Sequence, residues 1–338
     1  MALWLFLPLV CIFCLFLTAC LRKYALASNL MDVPNARSSH SIPTPRGGGV
    51  AIVGVFLLTA LYLAVIGAID WHSAWVFIVS GGGVAILGFL DDHGHIAARW
   101  RLLGHFSAAV FAVFLLGGLP PIVAFGFSLN LMWFGSLFAV LYLVWMLNLY
   151  NFMDGIDGLA SIEAICVCCG AALAAWLSGF HELVWSPLLL AATVMGFLYW
   201  NFPPARIFMG DAGSGFLGIT LGILSLQASW ANSTFLYVWL ILLGVFIVDA
   251  TVTLLRRLVR GDKVYEAHRS HAYQFASRHF GSHRVVTLTV AAINIGWLLP
   301  WALAVAVLGV DGLIALILAY LPLVFLALKF NAGGLEKQ

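Results

Sequence analysis

Along the chain, long apolar runs alternate with short connections that hold nearly all of the charge, and the runs have the length of membrane-crossing helices. They fall at 3–21, 47–69, 74–90, 103–118, 131–149, 159–179, 185–200, 213–230, 234–255, 285–308 and 313–330, which predicts about eleven spans. A helix satisfies its own backbone hydrogen bonds in lipid, and the period-two pattern of barrel strands is missing. The predicted fold class is therefore all-α: a polytopic protein forming a single membrane domain over 1–338, without internal repeats or a soluble insertion.

The cations test this reading. With the N-terminus outside and the C-terminus cytoplasmic, all 16 Lys and Arg residues fall in alternate connections on the inner side, among them Arg22, Lys23, Arg37, Arg99, Arg206, Arg256, Arg257, Arg260 and Lys263. The outer connections keep Asp70, Glu182 and Asp311 and no cation, a segregation that an error in any one span would scramble. Composition agrees, because 63% hydrophobic and 9% charged residues leave too little polar surface for a soluble globule. The net charge of +2 follows from membrane-flanking loops and gives no case for nucleic acid. Cys11, Cys14, Cys20, Cys166, Cys168 and Cys169 lie in apolar spans, so no disulfide framework is expected. Leu17-Thr-Ala-Cys20 resembles a lipoprotein cleavage box, but no basic residue precedes the apolar run, and an uncleaved span is expected.

Candidate chemistry concentrates on the inner side. Asn148, Asn151, Asp154 and Asp157 recur every third residue, and in an ideal helix such a row drifts by about 60° per step. A helix end opening into a turn at Gly155 and Gly158 would gather these oxygens for a hard cation, for a nucleotide's polar edge, or for both. The plainer alternative is that the aspartates cap the next helix. Upstream, Pro43-Thr-Pro-Arg46-Gly-Gly-Gly49 predicts a stiff turn whose glycines let the main chain approach a ligand, with Arg37, His40 and Arg46 able to meet phosphate oxygens. The third span ends in Asp91-Asp92, a pair suited to binding a metal, accepting a proton or ordering Arg99 and Arg101; His93 and His95 follow without zinc-ligand spacing.

Farther on, Asp211 in Phe208-Met-Gly-Asp211-Ala-Gly-Ser214 is expected at a helix N-terminus, where free N–H groups favour an anion and the carboxylate can hold a divalent ion; Phe208 could stack on a base. Glu163 and Asp249 lie within spans as intramembrane acids. In the largest inner loop, His268, Arg269 and His271 suit phosphate or sugar oxygens, whereas Arg278, His279 and His283 read as a membrane-flanking cluster.

Taken together, Pro-Thr-Pro-Arg-Gly-Gly, Asp-Asp, Asn-x-x-Asn-x-x-Asp-Gly-x-Asp-Gly-Leu, Phe-Met-Gly-Asp-Ala-Gly-Ser and the basic His loop resemble the polyprenyl-phosphate N-acetylhexosamine-1-phosphate transferases (glycosyltransferase family 4), most of all the bacterial branch that initiates O-antigen on undecaprenyl phosphate. That resemblance implies a multi-pass enzyme of the bacterial inner membrane with its active site on the cytoplasmic face. The implied substrates are a UDP-N-acetylhexosamine and undecaprenyl phosphate, among membrane lipids, with a homodimer admitted. It also implies Mg²⁺, with Mn²⁺ as a substitute, held by Asp211 with Asn151. Phe208 and Asp157 would face the uridine, and Asn148 and Asp154 belong to the same binding stretch. Arg46 and Arg101 would border the phosphates, and His268, Arg269 and His271 the sugar. Asp91 or Asp92 is the family's candidate base, although a phosphate monoester is already largely a dianion at neutral pH. Two other readings stay open. One is the phospho-muramoyl-pentapeptide branch, which carries a denser run of histidines in the last loop. The other, from a different class, is an ion-coupled transporter, disfavoured because the polar groups sit at one face instead of midplane.

Overall fold

The computed structural model describes residues 3–34, 40, 42–94, 96–262 and 268–335. Arg37, His95 and Lys263 lie outside the described residues. The helices are α1 (Leu3–Ala27), α2 (Gly49–Val65), α3 (Trp71–Val76), α4 (Gly82–Gly94), α5 (Ala98–Leu116), α6 (Met132–Met153), α7 (Leu159–Leu177), α8 (Trp185–Asn201), α9 (Asp211–Ala231), α10 (Thr234–Leu242), α11 (Gly244–Val259), α12 (Ala272–Phe280), α13 (His283–Ile293), α14 (Leu299–Leu308) and α15 (Gly312–Lys329). Short π-helical stretches, Phe77–Gly81 and Asn294–Leu298, join α3 to α4 and α13 to α14 into continuous rods.

Each of the eleven expected apolar segments coincides with helix, but they are not equivalent. Among the described residues nine helices are long and apolar enough to cross a membrane. Gly49–Val65 has 17 residues and is shorter, and the segment expected at 234–255 is two helices, α10 and α11, bent by 74° at their junction, which makes it a broken span or a re-entrant element. A hydropathy run cannot register such a bend, because both limbs are apolar. The all-α expectation needs one small amendment: Met31–Asp32 pairs antiparallel with Thr44–Pro45, and Ile122–Ala124 with Phe127–Leu129.

α9 is the centre. Its most apolar 18-residue window is 94% buried, against 17% for α1 and for α5 at the periphery. Small residues make this possible, since between helices in lipid close backbone approach replaces the hydrophobic effect as the source of cohesion. A Cβ on Gly218 would lie 2.5 Å from the Met146 carbonyl oxygen of α6, and one on Gly222 would lie 2.7 Å from Leu143. Phe216 fills the space beside Gly81 in turn, packing edge-on against Phe56 at 5.7 Å. The first residue of this central helix is Asp211, so its carboxylate is placed where α4, α6 and the 45–49 turn converge.

Candidate active site

The N-terminus of α9 is formed by Gly210, whose φ of +78° only glycine adopts without strain and whose carbonyl accepts from the Gly213 and Ser214 amides at 3.1 Å each. α4 presses onto this end at Gly88, where a Cβ would stand 2.6 Å from the Ala212 nitrogen. One turn later α4 delivers Asp92, 5% exposed, with Oδ2 accepting from the Ala212 amide at 3.5 Å. Arg46 donates to the Asp92 carbonyl oxygen and holds Nη1 at 4.0 Å from Oδ1. Two of the three glycines after Arg46 are taken up by packing. Gly48 and Gly49 donate to the Phe208 and Met209 carbonyls at 2.9 Å, and a Cβ on Gly48 would lie 2.7 Å from the Phe197 ring of α8 and one on Gly49 2.4 Å from Gly213 Cα of α9, so they clear room for those two helices.

The Asn/Asp row divides as helical drift requires. Asn148 turns back to the Val144 carbonyl at 2.7 Å on its own helix. Asn151 Nδ2 donates to Asp211 Oδ1 at 3.0 Å and to Ser214 Oγ at 3.2 Å, which leaves its carbonyl oxygen for other partners. α6 then ends at Met153, Asp154 forms the turn, and Gly158 with φ +71° opens α7. Asp157 accepts from the Ala205 amide at 3.0 Å and faces His283 Nδ1 at 3.3 Å. Two further residues hold this turn. Asn201 accepts from the Gly158 amide and donates to the Ile207 carbonyl, both at 3.0 Å, and Thr287 donates to the Asp157 carbonyl at 2.9 Å. Neither Asn201 nor His283 stands out in the sequence as a site residue; an asparagine ending an apolar span is the only hint.

Two cavities result. The first, about 230 Å³, is polar and is bordered by Arg46, Asp92, Asp154, Asp157, Phe208 and His283. The second, about 150 Å³, opens between α4, α5, α6 and α9, and is bordered by Asp91, Arg101 and Asn148 together with Val84, Leu87 and Leu102. Asn151 and Asp211 border both. In the second, Arg101 donates to Asp91 and lies 3.4 Å from Asp211 Oδ2, while the Ile96 amide donates to Asp91 at 2.7 Å. In the first, His40 meets the Phe208 ring edge-on at 4.8 Å. Burial, and after it the carboxylates of Asp211, Asp157 and Asp92, push the Asp154 carboxyl well above the ordinary range, although its side chain still reaches the cavity. Such a concentration of negative charge suits a cation. Among the described residues no three His, Cys, Asp or Glu side chains converge to hold one unaided. Oxygen donors of this kind, few and partly free, match an ion that keeps water and substrate oxygens in its shell.

The sequence profile of glycosyl transferase family 4 matches residues 74–229, which contain α4 to α8, nearly all of α9, the whole border of the second cavity and part of that of the first. The chain is 32% identical over 293 residues, 83% of this chain and 78% of the other, to the "Probable undecaprenyl-phosphate N-acetylglucosaminyl 1-phosphate transferase" of Bacillus subtilis (strain 168). The chain belongs to the polyprenyl-phosphate N-acetylhexosamine-1-phosphate transferases. Similarity extends to the "Undecaprenyl-phosphate alpha-N-acetylglucosaminyl 1-phosphate transferase" of Thermotoga maritima, 26% identical and covering 82% of each chain. The "Phospho-N-acetylmuramoyl-pentapeptide-transferase" of Hydrogenobaculum sp. (strain Y04AAS1) is 27% identical over 70% of this chain and 72% of its own. This transferase is a multi-pass membrane protein.

The described part of the transferase's basic loop, from His268 onward, is tied to α11. Asp249 on α11 accepts from the Ala272 amide at 2.9 Å, the Tyr273 amide at 3.0 Å, Thr253 Oγ1 at 3.2 Å and His271 Nδ1 at 3.3 Å, and so clamps the start of α12. Tyr273 OH reaches the Phe152 carbonyl at 2.9 Å, and a Cβ on Gly155 would lie 2.1 Å from that hydroxyl. His271 is 2% exposed and stacks on His268 at 4.9 Å. Burial, then the nearby His271 and Arg257, lower the His268 pKa to about 3, so the ring is neutral. His268, Arg269 and His271 border neither cavity; from this region Gln274 and His283 do. Glu163, one turn into α7, accepts from Asn294 at 2.6 Å and borders neither cavity.

Proposed function

We propose that this transferase moves N-acetylhexosamine-1-phosphate from a UDP-sugar to undecaprenyl phosphate, with N-acetylglucosamine as the leading sugar, and thereby initiates O-antigen or a related surface glycan at the cytoplasmic face of a bacterial inner membrane. The carrying observation is the shared wall. A polar cavity suited to a nucleotide and a cavity of mixed character set among membrane helices meet at Asn151 and Asp211. A soluble donor and a lipid acceptor can therefore approach one point from two sides. The printed activities of the Bacillus and Thermotoga relatives support this pair of substrates. The collection of Arg46, Arg101, Arg206 and Arg257 on one side of the predicted topology supports the cytoplasmic placement.

In this reading Phe208 and Asp157 border the uridine, and Arg46 and Arg101 draw in the phosphates. Mg²⁺, held by Asp211 and the Asn151 carbonyl oxygen, would neutralise the diphosphate and the charge growing on the leaving group. An acceptor phosphate oxygen forms a bond to the β-phosphorus of the UDP-sugar, the bond from that phosphorus to the bridging oxygen breaks, and UMP leaves with the electron pair. Asp91 and Asp92 serve as positioning groups: each is engaged by protein donors, Asp91 by Arg101 and Ile96, Asp92 by Ala212 and Arg46. An acceptor that is already a dianion asks for no base.

The test is purified protein with undecaprenyl phosphate and a panel of UDP-sugars, with and without Mg²⁺, following UMP release and the mass of the lipid product. Formation of an undecaprenyl-diphosphate N-acetylhexosamine only when both lipid and Mg²⁺ are supplied is the expected result. Absence of UMP for every UDP-sugar would sink the reading.

A further inference from the structure

The second cavity contains a group that none of the family-like motifs includes. His105 lies on α5 one turn beyond Arg101 and borders the cavity with Asp91, Asn148 and Asp211. Residues four apart share one helix face, so the imidazole and the guanidinium look into the same space. The backbone there is fixed, because α5 is pressed onto α4 at Gly104, where a Cβ would come 2.6 Å from Leu87. His105 Nδ1 is buried without a hydrogen-bond partner among the described residues. A buried polar nitrogen left unpaired is costly, and such groups normally find a partner in protein, water or ligand.

The charges in the cavity indicate which partner. Among the described residues Arg101 is the only guanidinium bordering it and is shared between Asp91 and Asp211. A phosphate monoester dianion brought to this wall presents three strongly accepting oxygens, more than one shared guanidinium can match. A neutral imidazole always carries one N–H, and a half-turn about Cβ–Cγ exchanges nitrogen and carbon positions on the ring, giving two ways to aim a nitrogen at the cavity. The route also fits, since α5 is only 17% buried along its window and borders the lipid, from which an acceptor of this kind arrives.

We infer that His105 is a substrate-binding residue for the acceptor, donating an N–H to its phosphate beside Arg101. The inference rests on the polyprenyl-phosphate reading given above and adds to it the contact that discriminates acceptor from donor. One hydrogen bond to a charged group corresponds to a factor of about ten or more in affinity.

The experiment compares full-length wild type with H105A, H105F and H105Q in lipid nanodiscs. KM is measured for undecaprenyl phosphate at saturating UDP-sugar, and for the UDP-sugar at saturating lipid. H105A and H105F are expected to raise the lipid KM about tenfold with the UDP-sugar KM within about twofold, and H105Q, which restores an N–H donor, to recover most of the loss. Phenylalanine keeps the ring's bulk, so H105F with H105Q decides the matter if alanine impairs folding. A lipid KM unchanged in H105F, both KM values rising together, or H105Q no better than H105F would overturn the inference while leaving the transfer activity standing. Thermal stabilisation by undecaprenyl phosphate alone reads the same contact without turnover. A wild type stabilised by the lipid and an H105F protein stabilised less would uphold the contact even if the sugar-transfer reading failed, whereas equal stabilisation would overturn it.

Discussion

Asp211 and Asp249 are both acids on helices of one bundle, and each meets side chains from other elements, yet they are satisfied to different degrees. The Asp249 carboxylate takes four protein donors, two of them amides that begin α12. The Asp211 carboxylate takes Asn151 at 3.0 Å and, at 3.4 Å, an Arg101 already claimed by Asp91, and it stands between two cavities. A carboxylate has room for about four donors. One that the protein fills is a joint of the architecture; one that the protein leaves partly open at a cavity wall has capacity for a ligand. The sharpest way to break this contrast is D211N. It should lower turnover about a thousandfold, the scale of losing a principal electrostatic contact in a water-poor site, while thermal stability holds or rises as like charges around Asp154 are relieved. A D211N protein that kept more than about a tenth of wild-type UMP release would show that the open acid is not where the chemistry happens.

The reverse pattern is expected at the joint. D249A strands the Ala272 and Tyr273 amides and the His271 ring, and should cost about 2–4 kcal/mol of stability, read as a lowered thermal midpoint, with D249N losing less because its carbonyl still accepts. Activity should fall only as far as α12 shifts. Equal stability of D249A and wild type would remove the distinction. A smaller effect tests the strut that joins the two regions. G155A places a methyl against the Tyr273 hydroxyl, and the strain should cost about 1–3 kcal/mol. In the Y273F background, where the hydroxyl is gone, the same glycine change should cost measurably less, and a double-mutant cycle in thermal unfolding reads the coupling. Independent effects at the two positions would show that the strut transmits nothing.

The same contrast explains what could be read from the sequence. The spans were legible because hydropathy reports burial in lipid directly, and the Asn151–Asp157 turn because Gly155 and Gly158 punctuate an otherwise apolar run. The 74° bend between α10 and α11 was not, since Gly244 at the junction is a lone glycine in an apolar run, as compatible with close helix packing as with a bend. The contacts of the basic loop were not legible either, since the stacking of His268 on His271 and the clamp of Asp249 on His271 are tertiary facts. Asn201 and His283, which border the polar cavity, carry little local signature beyond the asparagine's place at the end of an apolar span, because each is held by a partner distant in sequence, 43 residues away for Gly158 and 126 for Asp157. Gly48 and Gly49 likewise make room for α8 and α9, a use of glycine that the local sequence does not mark.

The smallest expected effect lies wholly on the filled side of the comparison. His268 accepts from the Ser270 amide at 3.4 Å, lies against His271, and is kept neutral by burial and by the positive charge of Arg257. Its folded-state pKa of about 3 is below the ordinary histidine value of 6.5, so between those two values the unfolded chain binds a proton that the folded protein refuses. Stability from this group is therefore complete above about pH 6.5 and declines as pH falls toward 3. Replacing the ring by one of similar shape that cannot titrate, H268F, should leave the thermal midpoint at pH 7.5 nearly unchanged and make its fall between pH 7.5 and pH 5 shallower than in the wild type. Parallel falls would mean that the region admits a proton after all. A pocket able to accept a charge there would no longer differ in kind from the one beside Asp211.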